Sequence, residues 1–90
     1  MTIQEIRAHI QEGYDSEKCI QMLDLYIAEH PEDDEAFYLR GVRYWSLGRR
    51  SLAINDYLTA IRLNPESKAT MAIKTSYEIL NYYNKDLFNP

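Results

Sequence analysis

The stretch YWSLGRRSLAINDYLTAIRLNP, residues 44–65, contains the features that decide the fold. It consists of two helical segments separated by Gly48, and the second segment ends just before Pro65. Glycine adopts positive φ easily just past a helix end, and the residue before a proline disfavours helix. Ala53 and Ala60 place two small side chains on the second segment, where a neighbouring helix can approach closely. The stretch therefore predicts a tightly packed helical hairpin.

The same pattern occurs once before in the chain. Pro31 closes the phrase LYIAEHP as Pro65 closes TAIRLNP, and we call the displacement from Pro31 to Pro65 the repeat shift. The repeat shift also sets apolar residues against apolar ones and small against small: Ile3 with Phe37, Ile10 with Tyr44, Cys19 with Ala53, Leu23 with Tyr57 and Ile27 with Ile61. We therefore divide the chain into repeat 1, about residues 1–33, and repeat 2, about residues 34–67.

The period and the residue types of repeat 2 resemble the tetratricopeptide repeat, a helix–turn–helix unit of about 34 residues. The positions that carry the resemblance are Phe37, Gly41, Tyr44, Leu47, Gly48, Ala53, Tyr57, Ala60 and Pro65. We expect the two helices of the hairpin to approach closely at Gly41 and Ala53, and Tyr44 and Tyr57 to fill the wider gaps in its core. One position departs, because Arg40 stands where the family usually has leucine, and we expect that site to be more polar. Repeat 1 matches less well, since Tyr26 replaces the usual alanine. The resemblance implies an all-α solenoid of helical hairpins, an α–α superhelix.

The pattern changes after repeat 2. Residues 67–84 form a helical segment with an apolar stripe on one side. The repeat register would place four of its residues against a following helix: Met71, Lys74, Thr75 and Glu78. Because three of these four are polar, we expect a capping helix with a wetted outer face, followed by a tail, 85–90, that either extends the helix or folds back. The sequence thus predicts one domain, residues 1–90, with about five helices.

Composition narrows the range of functions. The net charge of −4 argues against a general nucleic-acid partner, because neutralising phosphates requires clustered Lys and Arg. A single cysteine, Cys19, excludes an intrachain disulfide. No apolar run approaches the length of a membrane span, and the N-terminus lacks the features of a signal peptide. We therefore expect a cytoplasmic protein that binds neither nucleic acid nor membrane.

The sequence nominates no catalytic or metal-binding residues. His9 and His30 have no suitable second ligand at helical spacing, and no histidine is placed to activate Cys19. The chain also has no glycine-rich phosphate loop, no nucleophile elbow and no evident pair of catalytic carboxylates. We therefore expect a protein that is not an enzyme and uses no metal or other cofactor.

The first helix of repeat 2 carries two apolar stripes. One, with Phe37, is the internal core of the repeat, and the other contains Tyr38, Val42 and Trp45. In proteins of this family, the first helix of each repeat lines a concave surface that binds peptides. The resemblance implies these concave positions: Gln4, Ala8 and Gln11 in repeat 1, Glu35, Tyr38, Val42 and Trp45 in repeat 2, and Ala69, Ala72, Ser76 and Ile79 in the cap. Alternatively, Tyr38 and Trp45 pack between adjacent helices as core residues.

Two functions stay open. The first is a non-catalytic adaptor that binds a peptide or helix of another protein on the concave surface. The second is a structural unit that self-assembles as a homodimer through its repeat faces. The uneven charge would favour pairing of unlike halves, because residues 1–34 carry nine acids and two bases while residues 35–65 carry two acids and five arginines.

Overall fold

A computed structural model describes the backbone of residues 1–88 and the side chains of residues 1–81. These residues form five helices and no strand: α1 (Ile3–Gln11), α2 (Ser16–Glu29), α3 (Asp34–Ser46), α4 (Arg50–Leu63) and α5 (Ala69–Phe88). The predicted all-α class and the predicted number of helices are confirmed. We call α1 and α2 the first hairpin, and α3 and α4 the second hairpin.

Local chemistry explains where the helices of the two hairpins begin and end. Thr2, Asp15 and Asp33 precede α1, α2 and α3, and their side-chain oxygens accept hydrogen bonds from backbone amides of the first turn. Gly13 and Gly48 follow α1 and α3 with φ of 92° and 77°, a conformation that costs glycine little. The turn predicted at Gly48 is therefore present, and the first hairpin contains its counterpart.

The second helices of the two hairpins match each other closely. Helices α2 and α4 each contain 14 residues, and their first residues, Ser16 and Arg50, are one repeat shift apart. Cys19 and Ala53, which this shift aligns, are both fully buried. The first helices match less well, because α1 has 9 residues and α3 has 13.

Consecutive helices pack against one another, and most of the buried apolar side chains among residues 1–81 fall into two clusters. The first cluster contains Ile3, Ile6, Leu23 and Ala36. The second cluster contains Ala53, Tyr57, Ala60, Ala69 and Ile73. Because the second cluster includes residues of α4 and α5, helix α5 completes the core of the second hairpin.

Gly41 allows α3 and α4 to approach closely. A Cβ at this position would lie 2.6 Å from Cε1 of Tyr57 and 3.2 Å from the carbonyl oxygen of Ala53. The first distance is shorter than carbon atoms tolerate, so a side chain there would force Tyr57 or the helices to move. The close contact expected at this glycine is therefore present.

Arg40 is accommodated by an ion pair rather than by apolar packing. Its guanidinium donates two hydrogen bonds to the carboxylate of Asp56, at 2.8 and 2.9 Å, and a third to Asp24, at 2.9 Å. The side chains of Arg40 and Asp56 are only 19% and 7% exposed. The hydrogen bonds and charge of Asp56, with a contribution from Asp24, raise the pKa of Arg40. The expectation of a more polar site at this position thus agrees with the structure.

Helix α5 is longer than the predicted capping helix. It continues to Phe88 instead of ending near residue 84, so residues 85–88 extend the helix, and residues 89–90 lie outside the described part of the chain. The expected outer residues, Met71, Lys74, Thr75 and Glu78, are all exposed. None of the helices in the described residues is long and apolar enough to cross a membrane.

Candidate functional site: a groove between α3 and α5

An open groove of about 470 Å³ lies between α3 and α5. Its lining residues are Tyr38, Trp45, Tyr57, Lys68, Met71, Ala72, Thr75, Ser76 and Ile79. We call it the aromatic groove, because three of its side chains are aromatic and come from two successive helices. Tyr57 is 3% exposed and lies deep in the groove, whereas Tyr38 and Trp45 are half-buried.

The ring of Tyr57 is positioned by the glycine opposite it on α3. Because Gly41 has no side chain, the ring of Tyr57 lies directly against that helix. The ring centroids of Tyr57 and Tyr38 are 6.3 Å apart and tilted by 36°. Burial, with a smaller contribution from Tyr38, raises the pKa of the Tyr57 hydroxyl, which therefore stays protonated at neutral pH. Neither hydroxyl makes a hydrogen bond to another described residue, so both can bind a ligand.

Trp45 lies at the end of the groove nearest the turn between α3 and α4. Its ring packs against the second core cluster and also lines the groove. The guanidinium of Arg50 lies 4.9 Å from the ring centroid, a cation–π contact at the surface. Tyr38 likewise packs against the second core cluster and lines the groove. Each of these two aromatic side chains therefore belongs both to the core packing and to the groove wall.

A second cavity, of about 260 Å³, adjoins the aromatic groove at the start of α3. We call it the acidic cavity, and its lining residues are Asp33, Asp34, Glu35, Tyr38, Asn64, Glu66, Ser67 and Lys68. Glu35 accepts a hydrogen bond from Arg7 at 2.7 Å, and Asp34 accepts one from the Asn64 amide at 3.3 Å. The side chain of Glu66 makes no hydrogen bond or ion pair with another described residue.

The structure brings together some of the predicted concave residues. Those that line the aromatic groove are Tyr38, Trp45, Ala72, Ser76 and Ile79, and Glu35 lines the acidic cavity. Val42 is half-buried beside the second core cluster, and Ala69 is fully buried within it. The predicted residues of α1 are exposed and line neither cavity: Gln4, Ala8 and Gln11. The groove is thus built by the second hairpin and α5.

Sequence reasoning missed four residues of the aromatic groove: Tyr57, Lys68, Met71 and Thr75. The sequence predicts that Tyr57 fills the hairpin core, and that Met71 and Thr75 belong to the outer face of the cap. A signal for Met71 and Thr75 existed, because they precede Ala72 and Ser76 by one residue and follow the same helical spacing of four. A wider stripe on α5 would have included them.

Cys19 and His9, which lie outside the two cavities, are packed into the fold, and the buried Nδ1 of His9 makes no hydrogen bond with another described residue. Cys19 is fully buried and its thiol donates to the carbonyl of Tyr14 at 3.6 Å; burial raises the pKa of this thiol, which disfavours the reactive thiolate. His9 stacks on Tyr14 with ring centroids 4.5 Å apart. Among the described side chains, no group of three His, Cys, Asp or Glu residues is placed to hold a metal ion.

Similarity to known proteins does not identify this groove. The chain matches no protein-family model, no curated protein and no solved structure in the comparisons made with it. The resemblance to the tetratricopeptide repeat stays a prediction that depends on the residues named above. Function is therefore inferred from the shape, side chains and charges of the aromatic groove and the acidic cavity.

Proposed function

We propose that this protein is a non-catalytic interaction module that binds a peptide or helix of another protein in the aromatic groove. The observation that carries the proposal is the open groove lined by Tyr38, Trp45 and Tyr57. Tyrosine and tryptophan contribute most to binding energy when a partner covers them. The hydroxyls of the two tyrosines would accept or donate hydrogen bonds to a peptide backbone.

The arrangement of the helices supports the proposal. We infer a two-repeat, tetratricopeptide-like solenoid that α5 closes as a cap. The support is the equal length of α2 and α4 and their spacing by one repeat shift, together with the packing of each helix on the next. By resemblance, a groove beside the first helix of a repeat is a surface on which proteins of this family bind peptides.

A random-peptide display library selected on the immobilised protein tests this proposal. Trp45 is the only tryptophan, so its fluorescence reports binding in the groove directly. We expect the enriched peptides to shift its emission and to bind Tyr38→Ala about tenfold or more weakly, as for an aromatic hot spot. The matched control is Tyr77→Ala, because Tyr77 is 46% exposed on α5 and lines neither cavity. Peptides that bind a folded Tyr38→Ala variant with unchanged affinity would contradict the proposal.

Self-assembly is the second candidate function, and a specific surface favours it. An apolar cavity of about 350 Å³ on α2 is lined by Met1, Met22, Leu25, Tyr26, Ala28 and Glu29. Leu25 is 75% exposed there and Met1 is 64% exposed, and exposed apolar side chains that share one patch mark surfaces where proteins associate. Sedimentation velocity over a dilution series tests this function, with Leu25→Lys expected to abolish a dimer. A monomer at every concentration would remove the candidate.

A further inference from the structure

We propose that the groove also selects its partner by charge order. The bound segment would carry apolar residues over Tyr38 and Trp45, a Lys or Arg at the end nearest the acidic cavity, and an Asp or Glu at the end nearest Arg50. This inference rests on the proposed function, and it names the chemistry of the partner. Its basis is that one carboxylate in the acidic cavity, Glu66, and the guanidinium of Arg50 beside Trp45 have no ion-pair partner among the described side chains.

The aromatic groove and the acidic cavity form one continuous surface. They share Tyr38 and Lys68, so a segment that covers Tyr38 reaches both. Asp34 begins α3 and Trp45 lies near its end, which places the two ends about 16 Å apart at the helical rise per residue. About five extended residues or eleven helical residues span this distance, which is the length of an ordinary peptide ligand.

The acidic cavity has an excess of negative charge. Two cations, Lys68 in its lining and Arg7 at its edge, face four carboxylates, and the net charge of these groups is −2. The carboxylates are those of Asp33, Asp34, Glu35 and Glu66. Arg7 pairs with Glu35, and Lys68 makes no ion pair with a described carboxylate. The N-terminus of α3 offsets only about half a charge. A basic residue of a partner would therefore be attracted to the acidic cavity, where Glu66 has no partner among the described residues.

A positive charge lies beside Trp45, although Arg50 itself is not one of the residues that line the groove. Arg50 is exposed and lies over the Trp45 ring, and no carboxylate of a described side chain lies within ion-pair distance of it. The other arginine of this turn differs, because Arg49 pairs with Glu17 of α2. Arg50 is therefore available to a carboxylate on a segment that already covers Trp45.

A third observation indicates that a polar ligand fits between these ends. Tyr57 is 3% exposed, lines the aromatic groove and makes no hydrogen bond to another described residue. The hydroxyl oxygen itself stays accessible to solvent, so it bonds to water until a ligand replaces that water. The carbonyl or amide of a bound peptide would supply this hydrogen bond.

The test is selection of random peptides of about 12 residues, long enough to span the groove, on the wild type, Glu66→Lys and Arg50→Glu. We expect wild-type peptides to have basic residues at one end and acidic residues at the other. The same peptides should bind each charge-reversal variant about tenfold more weakly at low salt, and the difference should shrink at high salt. Glu78→Lys is the matched control for Glu66→Lys, because Glu78 is exposed on α5 and lines none of the cavities described above.

The outcomes separate this inference from the proposed function. Two outcomes would overturn the charge selection and leave the peptide-binding function intact. In the first, the enriched peptides bind Tyr38→Ala more weakly but show no order of charges. In the second, they bind Tyr38→Ala more weakly but bind both charge-reversal variants with unchanged affinity. No enriched peptide, or none sensitive to Tyr38→Ala, would overturn both. Burial of Trp45 in a homodimer would also overturn both, since the groove would then be covered by a second copy. Circular dichroism verifies that each variant is folded, and Arg50→Glu tests the inference independently of Glu66→Lys.

Discussion

At one pair of equivalent positions, the first hairpin has two apolar side chains and the second hairpin has an ion pair. The repeat shift sets Ile6 against Arg40 and Met22 against Asp56. In the first hairpin Ile6 is fully buried, and Met22 packs against the cluster that contains it. In the second hairpin the corresponding side chains form an ion pair with two hydrogen bonds, and Asp56 is buried. An apolar contact and a paired charge thus occupy equivalent places.

This difference determines how the stability of each hairpin responds when one residue of the pair is replaced. An apolar pair accepts the exchange of one member for another apolar side chain of similar volume, whereas a buried ion pair that loses one partner leaves the other charge without compensation. Arg40 also reaches Asp24 on α2, so it joins the first hairpin to the second. We therefore expect the exchange of one member for an apolar residue of similar size to be tolerated at this position in the first hairpin and not in the second.

The largest effect is expected from breaking the ion pair. Asp56→Met should lower the free energy of unfolding by about 3 kcal/mol, because it leaves the mostly buried guanidinium of Arg40 without its main partner. The double variant Arg40→Ile/Asp56→Met copies the first hairpin and should recover most of that loss, since replacing both charges with apolar groups is often neutral. Urea denaturation of the four proteins of this double-mutant cycle measures the coupling.

Asp24→Asn is the control for that cycle. Asp24 is the outer partner of Arg40 and is 50% exposed, so its ion pair is screened by solvent. Its removal should cost less than about 1 kcal/mol. If the double variant were as unstable as Asp56→Met alone, the equivalence of the two positions would be wrong.

Gly41→Ala should have the next largest effect. Its Cβ would lie 2.6 Å from the ring of Tyr57, and we expect a loss of about 2 kcal/mol even though alanine favours helix. The repeat shift sets Arg7 of the first hairpin against Gly41, so α1 accommodates a long side chain where α3 accommodates none. Arg7→Ala should therefore cost under about 1 kcal/mol, the value of its exposed pair with Glu35. Equal losses for the two variants in thermal or urea unfolding would contradict this distinction.

The two hairpins have the same kind of turn between their helices, and substitution of the turn glycines tests whether the turns are equivalent. Gly13 and Gly48 both have positive φ, and a Cβ at either position would meet no atom within 4 Å. Gly13→Ala and Gly48→Ala should therefore each cost about 1 kcal/mol, from backbone strain alone. The comparison is made by urea denaturation, and a clear difference between the two variants would mean that the turns are not equivalent.

The features of the fold that were predictable from the sequence are local ones. Gly48 and Pro65 fix helix boundaries through the backbone conformation of one or two residues, and the structure has those boundaries. The close approach at Gly41 was predictable as well, because a glycine within an apolar helical stripe has few other uses. The length of α5 was not predictable, because the sequence has no glycine or proline between residue 84 and Pro90 that would mark the end of the helix.

The site was predictable only in part, because it depends on how separate helices are rotated and stacked. The spacing on one helix identifies Tyr38 and Trp45, and both line the groove. Gln4 lies at an equivalent position of α1, yet it lines neither cavity, since α1 packs on α2 and not beside α5. Arg40 is visible in the sequence as a departure from the family pattern. Its partner Asp56 lies on another helix, and no local pattern joins the two.

An effect no larger than that of a single turn glycine is expected at Tyr26, where the two hairpins place a large and a small side chain at equivalent positions. The repeat shift sets Tyr26 against Ala60, which is fully buried. Tyr26 is too large for that place; its ring stacks on His30 at 4.4 Å, and its hydroxyl donates to Asp33 at 2.6 Å. Asp33 also caps α3, so Tyr26 connects the end of the first hairpin to the start of the second. Tyr26→Phe should lower the free energy of unfolding by about 1 kcal/mol at neutral pH.

The pH dependence of that loss tests whether the hydrogen bond to Asp33 is its cause. This bond, with smaller contributions from burial and the charge of Asp33, raises the pKa of Tyr26 to about 12, whereas a free tyrosine ionises near 10. Below pH 10 the phenol is protonated in the folded and unfolded states, and the stabilisation is fully present. Between about pH 10 and 12 the unfolded state releases the proton first, so the stability of the wild type falls toward that of Tyr26→Phe. Urea denaturation of both proteins at pH 8, 10 and 11 measures the difference between them. A constant difference would mean that lost packing, and not the hydrogen bond between the two hairpins, explains the effect of the substitution.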